Sequence, residues 1–228
     1  MEADHITPAL YALCVTPLES PALFAAALAA VSPERREKAL RLRQASDQRL
    51  SLGAGLLLRH ALHQAGCDRP PGVPAYTAEG KPYYPDSGFF FSLSHSGDWA
   101  LCAAAGFAVG CDVERVRGID LKLSRRFHPE EAAALLALSA QEDRLDRFFR
   151  LWTLKESFMK AVGLGLTLPL DEFQIVFGAV PAVLQSVDER AYTLREYPDI
   201  PGYRCAVCAA GDWGTVKLQT VTADELLQ

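Results

Sequence analysis

The chain has 228 residues, half of them apolar and 22% charged, with a formal net charge of −5. That is enough chain for a sizeable core, built as one large domain or two small halves, and the acidic balance argues against broad nucleic-acid binding while leaving room for a local basic patch. No apolar run is long enough to cross a bilayer and the N-terminus lacks a secretory pattern, so the expectation is a cytoplasmic protein with neither membrane nor nucleic acid as a partner.

Residues 6 to 15 read as a first strand and about 20 to 30 as an Ala-rich helix. Ser32-Pro33-Glu34 then supplies an N-cap, a proline at the first helical position and an acid in the first turn. The helix it opens carries Arg35, Arg36, Lys38, Arg41 and Arg43 within nine residues, against Glu34 and Glu37. That run is either a solvated helix face or a clamp for a polyanion. A second helix is expected from about Ser46 to Gln64, with Leu50, Leu57, Leu58 and Leu62 on its buried stripe and Arg49 and Arg59 outside it. Gly66 to Gly72 reads as a loop. In Gly80-Lys81-Pro82 the proline biases the lysine towards an extended backbone, so Lys81 either meets a phosphate or belongs to an ordinary surface loop.

Phe89 to Gly97 is a strand running into a polar turn. Phe91, Leu93 and His95 share one parity, so His95 emerges at the tip of an apolar face between Ser94 and Ser96, as a hydrogen-bonded structural residue or as a donor to an oxyanion or phosphate. Trp99 to Ala105 and Ala108 to Asp112 are expected to pair as a hairpin around Gly106-Phe107. The second of these ends in Gly110-Cys111-Asp112-Val113-Glu114, where Asp112 and Glu114 project to one side and Val113 turns into the core. Two carboxylates that close repel unless a cation or a shared proton sits between them, and hard divalent cations take oxygen ligands, so the pair is a candidate metal site.

Past Glu114 the segment Arg115 to Arg126 is basic, and Phe127-His128-Pro129-Glu130-Glu131 opens a helix running to about Leu138. The next helix, about Asp143 to Val162, places Trp152, Glu156 and Lys160 on one face; taken alone, Glu156 and Lys160 read as an exposed salt bridge. Phe173 to Phe177, Tyr192 to Arg195, Tyr203 to Ala210 and Val216 to Val221 read as strands before a short polar tail. Cys205-Ala-Val-Cys208 has redox or zinc spacing, but it lies in one of these strands with no second Cys or His pair after it, and reads as reduced core, as do the other cysteines. Helices followed by strands recur twice, which gives an α+β fold of two similar halves, 1–106 and 107–228, with the cleft at their join. A metal ion with Lys, Arg and His donors suits transfer at a phosphate or pyrophosphate.

The ordered set of motifs resembles the Sfp-type 4′-phosphopantetheinyl transferases over most of the chain. It comprises Ser-Pro-Glu-Arg-Arg-Glu-Lys at 32–38, Gly80-Lys81-Pro82, Phe-Ser-Leu-Ser-His-Ser-Gly at 91–97, Gly-Cys-Asp-Val-Glu at 110–114, Leu-Trp-Thr-Leu-Lys-Glu-Ser-Phe-Met-Lys at 151–160 and Gly-Leu-Gly-Leu at 163–166. The resemblance implies a pseudo-twofold pair of α/β halves with the active site at their interface. It further implies transfer of the phosphopantetheine arm of coenzyme A to a serine of an apo acyl or peptidyl carrier protein. Adenosine 3′,5′-bisphosphate would be released.

By the same resemblance Asp112, Glu114 and Glu156 would hold Mg2+, with Mn2+ an alternative, and Lys160 and His95 would contact the pyrophosphate. Lys81, Pro82 and Ser94 would line the nucleotide pocket, and Arg35, Lys38 and Arg49 would neutralise the 3′-phosphate. Contacts to coenzyme A would thus fall to the first half, and the metal and carrier contacts to the second. The serine hydroxyl needs a general base, a role that falls to Glu156 or a water it orients, with Lys160 and His95 completing the catalytic set. Carrier proteins of this kind are acidic, so Arg115, Arg117, Lys122, Arg125 and Arg126, with Leu121 and Leu123 among them, are either a docking surface or a solvated linker. Ser92 stands where the family commonly has Asn, and Leu50 or Ser51 where it has a small hydroxyl residue. A cleft completed within one chain implies a monomer. The competing readings are a non-catalytic module that binds coenzyme A or a carrier, and a Mg-dependent phosphohydrolase.

Overall fold

A computed structural model describes residues 6–67 and 72–228. Part of the loop expected over 66–72 lies outside the described residues. In chain order, strand β1 (Ala9–Cys14) leads through a 3-10 turn (Thr16–Glu19) into helices α1 (Pro21–Ala30), α2 (Pro33–Arg41) and α3 (Ala45–Gln64). Short strands β2 (Ala75–Tyr76) and β3 (Pro82–Tyr83) precede β4 (Phe90–Ser96), β5 (Trp99–Ala105) and β6 (Val109–Arg115). A 3-10 helix (Leu121–Arg126) is followed by α4 (Pro129–Leu136), α5 (Gln141–Val162) and a third 3-10 segment (Gly165–Thr167). Strands β7 (Gln174–Val176), β8 (Ala182–Leu184), β9 (Thr193–Tyr197), β10 (Tyr203–Ala209) and β11 (Leu218–Val221) then lead to α6 (Ala223–Leu227). No helix among the described residues is long and apolar enough to cross a membrane.

The chain divides into two compact units, one built from Met1–Ala75, Tyr83–Gly106 and Thr215–Gln228, the other from Tyr76–Pro82 and Phe107–Gly214. In the first, a sheet of order β11-β1-β5-β4 is covered by α3. The buried face of α3 is apolar, with Leu52, Leu56 and Leu57 fully excluded from solvent, and β5 answers with a run of alanines that lets the helix lie close. Helix α2 starts as its sequence dictates: Ser32 Oγ accepts the Arg35 N–H at 3.2 Å. The chain end is not a polar tail. Thr222 and Glu225 form a capping box that starts α6, whose Ala223 and Leu226 are buried in the core of this unit.

The second unit packs α5 against an antiparallel sheet of order β6-β10-β9, with β7 and β8 paired as a separate ladder. Its core is aromatic, including Phe127, Phe148, Phe149, Phe158 and Phe173. The hairpin expected between residues 99–105 and 108–112 does not form. Both edges of β5 are taken, by β1 and by β4, while β6 pairs with β10. The tight turn at Gly97, whose φ is 59°, folds β4 onto β5 instead. Phe107 belongs to the second unit, where its ring lies so close over Gly211 that a Cβ there would meet Cγ at 2.7 Å. All six cysteines are reduced. Burial pushes the Cys205 thiol up to about 12 and raises Cys208 as well, which makes both inert core residues.

Candidate active site

The site in the second unit begins with a missing side chain. A Cβ on Gly110 would stand 2.0 Å from Ser157 O, 2.4 Å from Ala161 N and 2.9 Å from Lys160 Cβ, so only glycine lets β6 lie directly on the backbone of α5. Strand parity then carries Asp112 and Glu114 to the side occupied by Gly110, facing the helix. Asp112 Oδ1 and Lys160 Nζ are 2.7 Å apart, and Lys160 also donates to Cys111 O at 3.1 Å. Glu114 Oε2 accepts from Arg117 Nη1 at 3.0 Å.

Glu156 lies one helical turn before Lys160. Burial pushes its carboxyl above the ordinary value, the Asp112 charge pushes it further, Lys160 opposes this, and Glu114 adds to it. For Lys160 burial works against the ammonium, but the Asp112 carboxylate outweighs it and holds the group above the usual lysine range. Asp112, Glu114, Glu156 and Lys160 therefore form one electrostatic cluster. Among the described residues no group of three or more His, Cys, Asp or Glu side chains stands ready to hold a metal ion. In this arrangement Asp112 and Glu114 engage Lys160 and Arg117.

Lys81 does not sit in an open loop. Its ammonium donates to Val109 O at 3.2 Å and to Lys160 O, and reaches Ala161 O at 3.5 Å, clipping the start of β6 to the last turn of α5. Burial, with a smaller contribution from Arg190, pulls it down to about 8. Pro82, in β3, is half-buried.

The remaining candidates lie in the first unit. His95 is exposed near the end of β4 opposite Ala100, while Ser94 is buried opposite Leu101, and Ser92 is also buried. Arg35 lays its stem over Gly55 of α3, where a Cβ would meet Arg35 Cγ at 2.7 Å. Lys38 is pulled below the usual lysine value by partial desolvation and then by Arg35. Arg49 is already answered by Glu19 at 3.1 Å. Leu50 and Ser51 are both buried in α3.

Reasoning from sequence missed one pair. Lys155 is buried with Glu131 at 2.9 Å, in the core of the second unit. The signal is present in the helical period, since Phe148, Leu151, Lys155 and Phe158 fall on one buried stripe. In the basic segment, Leu121–Arg126 is a 3-10 helix; Asp120 Oδ1 caps it by accepting the Lys122 N–H, and Lys122, Leu123, Arg125 and Arg126 are exposed.

Residues 108–208 match the 4′-phosphopantetheinyl transferase superfamily, and residues 17–106 match the 4′-phosphopantetheinyl transferase N-terminal family. The chain belongs to the 4′-phosphopantetheinyl transferase superfamily. It is 34% identical over 202 residues to the 4′-phosphopantetheinyl transferase Sfp of Bacillus subtilis, covering 86% of this chain and 90% of that protein. It is 33% identical over 181 residues to the 4′-phosphopantetheinyl transferase gsp of Aneurinibacillus migulanus, covering 78% and 76% respectively.

Proposed function

We propose that this enzyme transfers the 4′-phosphopantetheine arm of coenzyme A to a serine of an apo acyl or peptidyl carrier protein, releasing adenosine 3′,5′-bisphosphate. The serine oxygen bonds to the β-phosphorus, the bond from that phosphorus to the bisphosphate oxygen breaks, and the serine proton leaves to a base. The observation that carries the reading is the cluster of Asp112, Glu114, Glu156 and Lys160 on β6 and α5, registered by Gly110.

The donor set is made only of carboxylate oxygens whose charges repel one another, which fits a hard divalent cation. Asp112, Glu114 and Glu156 would hold Mg2+ or Mn2+, with Lys160 and Arg117 yielding their present partners. Such an ion, when bound, neutralises charge on the pyrophosphate oxygens. Lys160 and His95 bind those oxygens, and Glu156 accepts the serine proton directly or through a water it orients. Arg35 and Lys38 neutralise the 3′-phosphate; Arg49 contributes less because Glu19 already pairs with it. Lys81, Pro82 and Ser94 line the nucleotide, with Lys81 offering backbone and stem while its ammonium stays on the carbonyls of β6 and α5. The exposed cations of the 121–126 helix, together with Arg115 and Arg117, receive the acidic carrier, and the enzyme works as a cytoplasmic monomer.

The test is to incubate the protein with coenzyme A, Mg2+ and an apo carrier domain and weigh the carrier. A gain of one phosphopantetheine is expected. Cleaved coenzyme A with an unmodified carrier would make the protein a phosphohydrolase, and no reaction would leave a binding module. Glu156→Gln should lower turnover on the order of 10²-fold or more while coenzyme A still binds.

A further inference from the structure

Lys155 directly precedes Glu156 and points elsewhere, into the core, with its side chain 0% exposed. An ammonium has three N–H donors, and all three are engaged, by Glu131 Oε2 at 2.9 Å, Leu170 O at 2.8 Å and Phe173 O at 2.7 Å. Glu131 is held by two further contacts. Its Oε2 also accepts the His128 N–H at 3.1 Å, and its Oε1 accepts the Ile175 N–H at 2.5 Å. One buried ion pair thereby fastens α5 to the first turn of α4 and to the segment 170–175.

Stability alone does not call for charge here. The cost of desolvating two ions offsets much of their attraction, and a well-packed apolar pair of similar volume is often as stable or more so. Phe148, Leu151 and Phe158 already make the surrounding stripe apolar. What an apolar pair lacks is direction. Three directional contacts, from Lys155 to Glu131, Leu170 O and Phe173 O, fix both the rotation of α5 about its axis and its slide along it, and two more, from His128 and Ile175, hold Glu131 in place to receive the first. A side chain ends about 5–6 Å from the helix axis, so a rotation of about 20° would carry the Glu156 carboxylate roughly 2 Å away from β6.

We propose that Lys155 and Glu131 are a positioning pair that holds Glu156 and Lys160 against β6 for transfer. This inference rests on the transferase reading above.

The decisive variant is the double substitution Lys155→Met with Glu131→Leu, because Lys155→Met alone strands a buried carboxylate and is expected to unfold much of the protein. The double variant should melt at or above the wild-type temperature. Its kcat should fall at least about tenfold with KM for coenzyme A changed less than about threefold, since misplacement by an ångström or so is costly to chemistry. Its Mn2+ affinity, measured by calorimetry without carrier, should fall in parallel. A double variant that unfolds would make the pair a stability element, and one that keeps wild-type kcat and Mn2+ affinity would make it dispensable; either result overturns the proposal. If wild-type protein modifies no carrier, the transferase reading fails instead, and the Mn2+ comparison still tests the pair.

Discussion

In the first unit the glycine that brings helix and sheet together sits on the helix; in the second it sits on the strand. A Cβ on Gly53 of α3 would meet the side chains of Val15 at 2.5 Å, Ala100 at 3.4 Å and Leu13 at 3.5 Å. A Cβ on Gly110 of β6 would meet backbone atoms of α5 first. When the helix gives up its side chain, the strands keep theirs and the seam stays apolar, as it does under α3. When the strand gives up its side chain, the helix keeps its long residues on the seam, and Lys160 can reach Asp112 two positions along β6. The seam between β6 and α5 can therefore carry charge where the seam under α3 carries packing.

Gly110→Ala should be the most damaging single change. Backbone atoms cannot step aside as a side-chain tip can, so the loss should be about 3 kcal/mol or more, at or above the upper end of ordinary overpacking. Because β6 must lift from α5, transfer should be lost even at temperatures where the variant is folded. Denaturant melts paired with the carrier mass assay measure both, and a stable, active Gly110→Ala enzyme would remove the basis of the comparison.

The next effect tests charge inside the second unit through pH. Lys81 has a folded value of about 8 against an ordinary lysine value of 10.5. Below pH 8 the ammonium is charged in folded and unfolded chains alike, and folding bears the full cost of burying it. As pH rises from 8 to 10.5 the folded chain gives up this proton first, so the unfolded state binds more protons and stability climbs. Relative to Lys81→Met, wild type should gain up to about 3 kcal/mol across that window. Urea melts of both proteins at stepped pH would show it; parallel curves would mean that the clip carries no desolvation cost.

The features readable from sequence are those whose cause is local. Ser32, Pro33 and Glu34 mark the start of α2 by chain-adjacent chemistry, and the parity of Asp112 and Glu114 follows from the strand alone. The hairpin between β5 and β6 fails as an expectation because pairing is decided at a distance: Val113 of β6 lies opposite Cys205, and no feature near residue 106 announces that partner. Lys155 falls between these cases. Its place on the apolar stripe is visible in the period, but Glu131 as its partner depends on how α4 docks. The same limit applies at the site, where motif order brings Asp112, Glu156 and Lys160 together, while the commitment of Lys81 to carbonyls of β6 and α5 is tertiary. Helix α6 was open to a sequence reading through Thr222 and Glu225, although its few residues give little periodicity to support them.

Gly53→Ala should cost less than Gly110→Ala, about 1–2 kcal/mol, because the obstruction is Val15 Cγ1, part of a side chain in the adjoining segment that can shift. Activity at temperatures where the variant is folded should be nearly unchanged, since the change falls on an apolar seam. A loss equal to that of Gly110→Ala would show that the position of the glycine is immaterial.

The smallest expected effect sharpens the other side of the contrast. In the first unit the cations assigned to the 3′-phosphate stand on α2, whose start depends on Ser32 Oγ accepting the Arg35 N–H. Ser32→Ala should cost about 0.5–1 kcal/mol locally. Arg35 is both the residue whose amide is released and a proposed phosphate ligand, so that loss should appear as a rise of about two- to fivefold in KM for coenzyme A. Turnover at saturating coenzyme A should not move, because the groups proposed to act on the serine and the pyrophosphate are held by β4, β6 and α5 rather than by α2. A fall in kcat with KM unchanged would reverse this assignment and place α2 in the chemistry rather than in ligand binding.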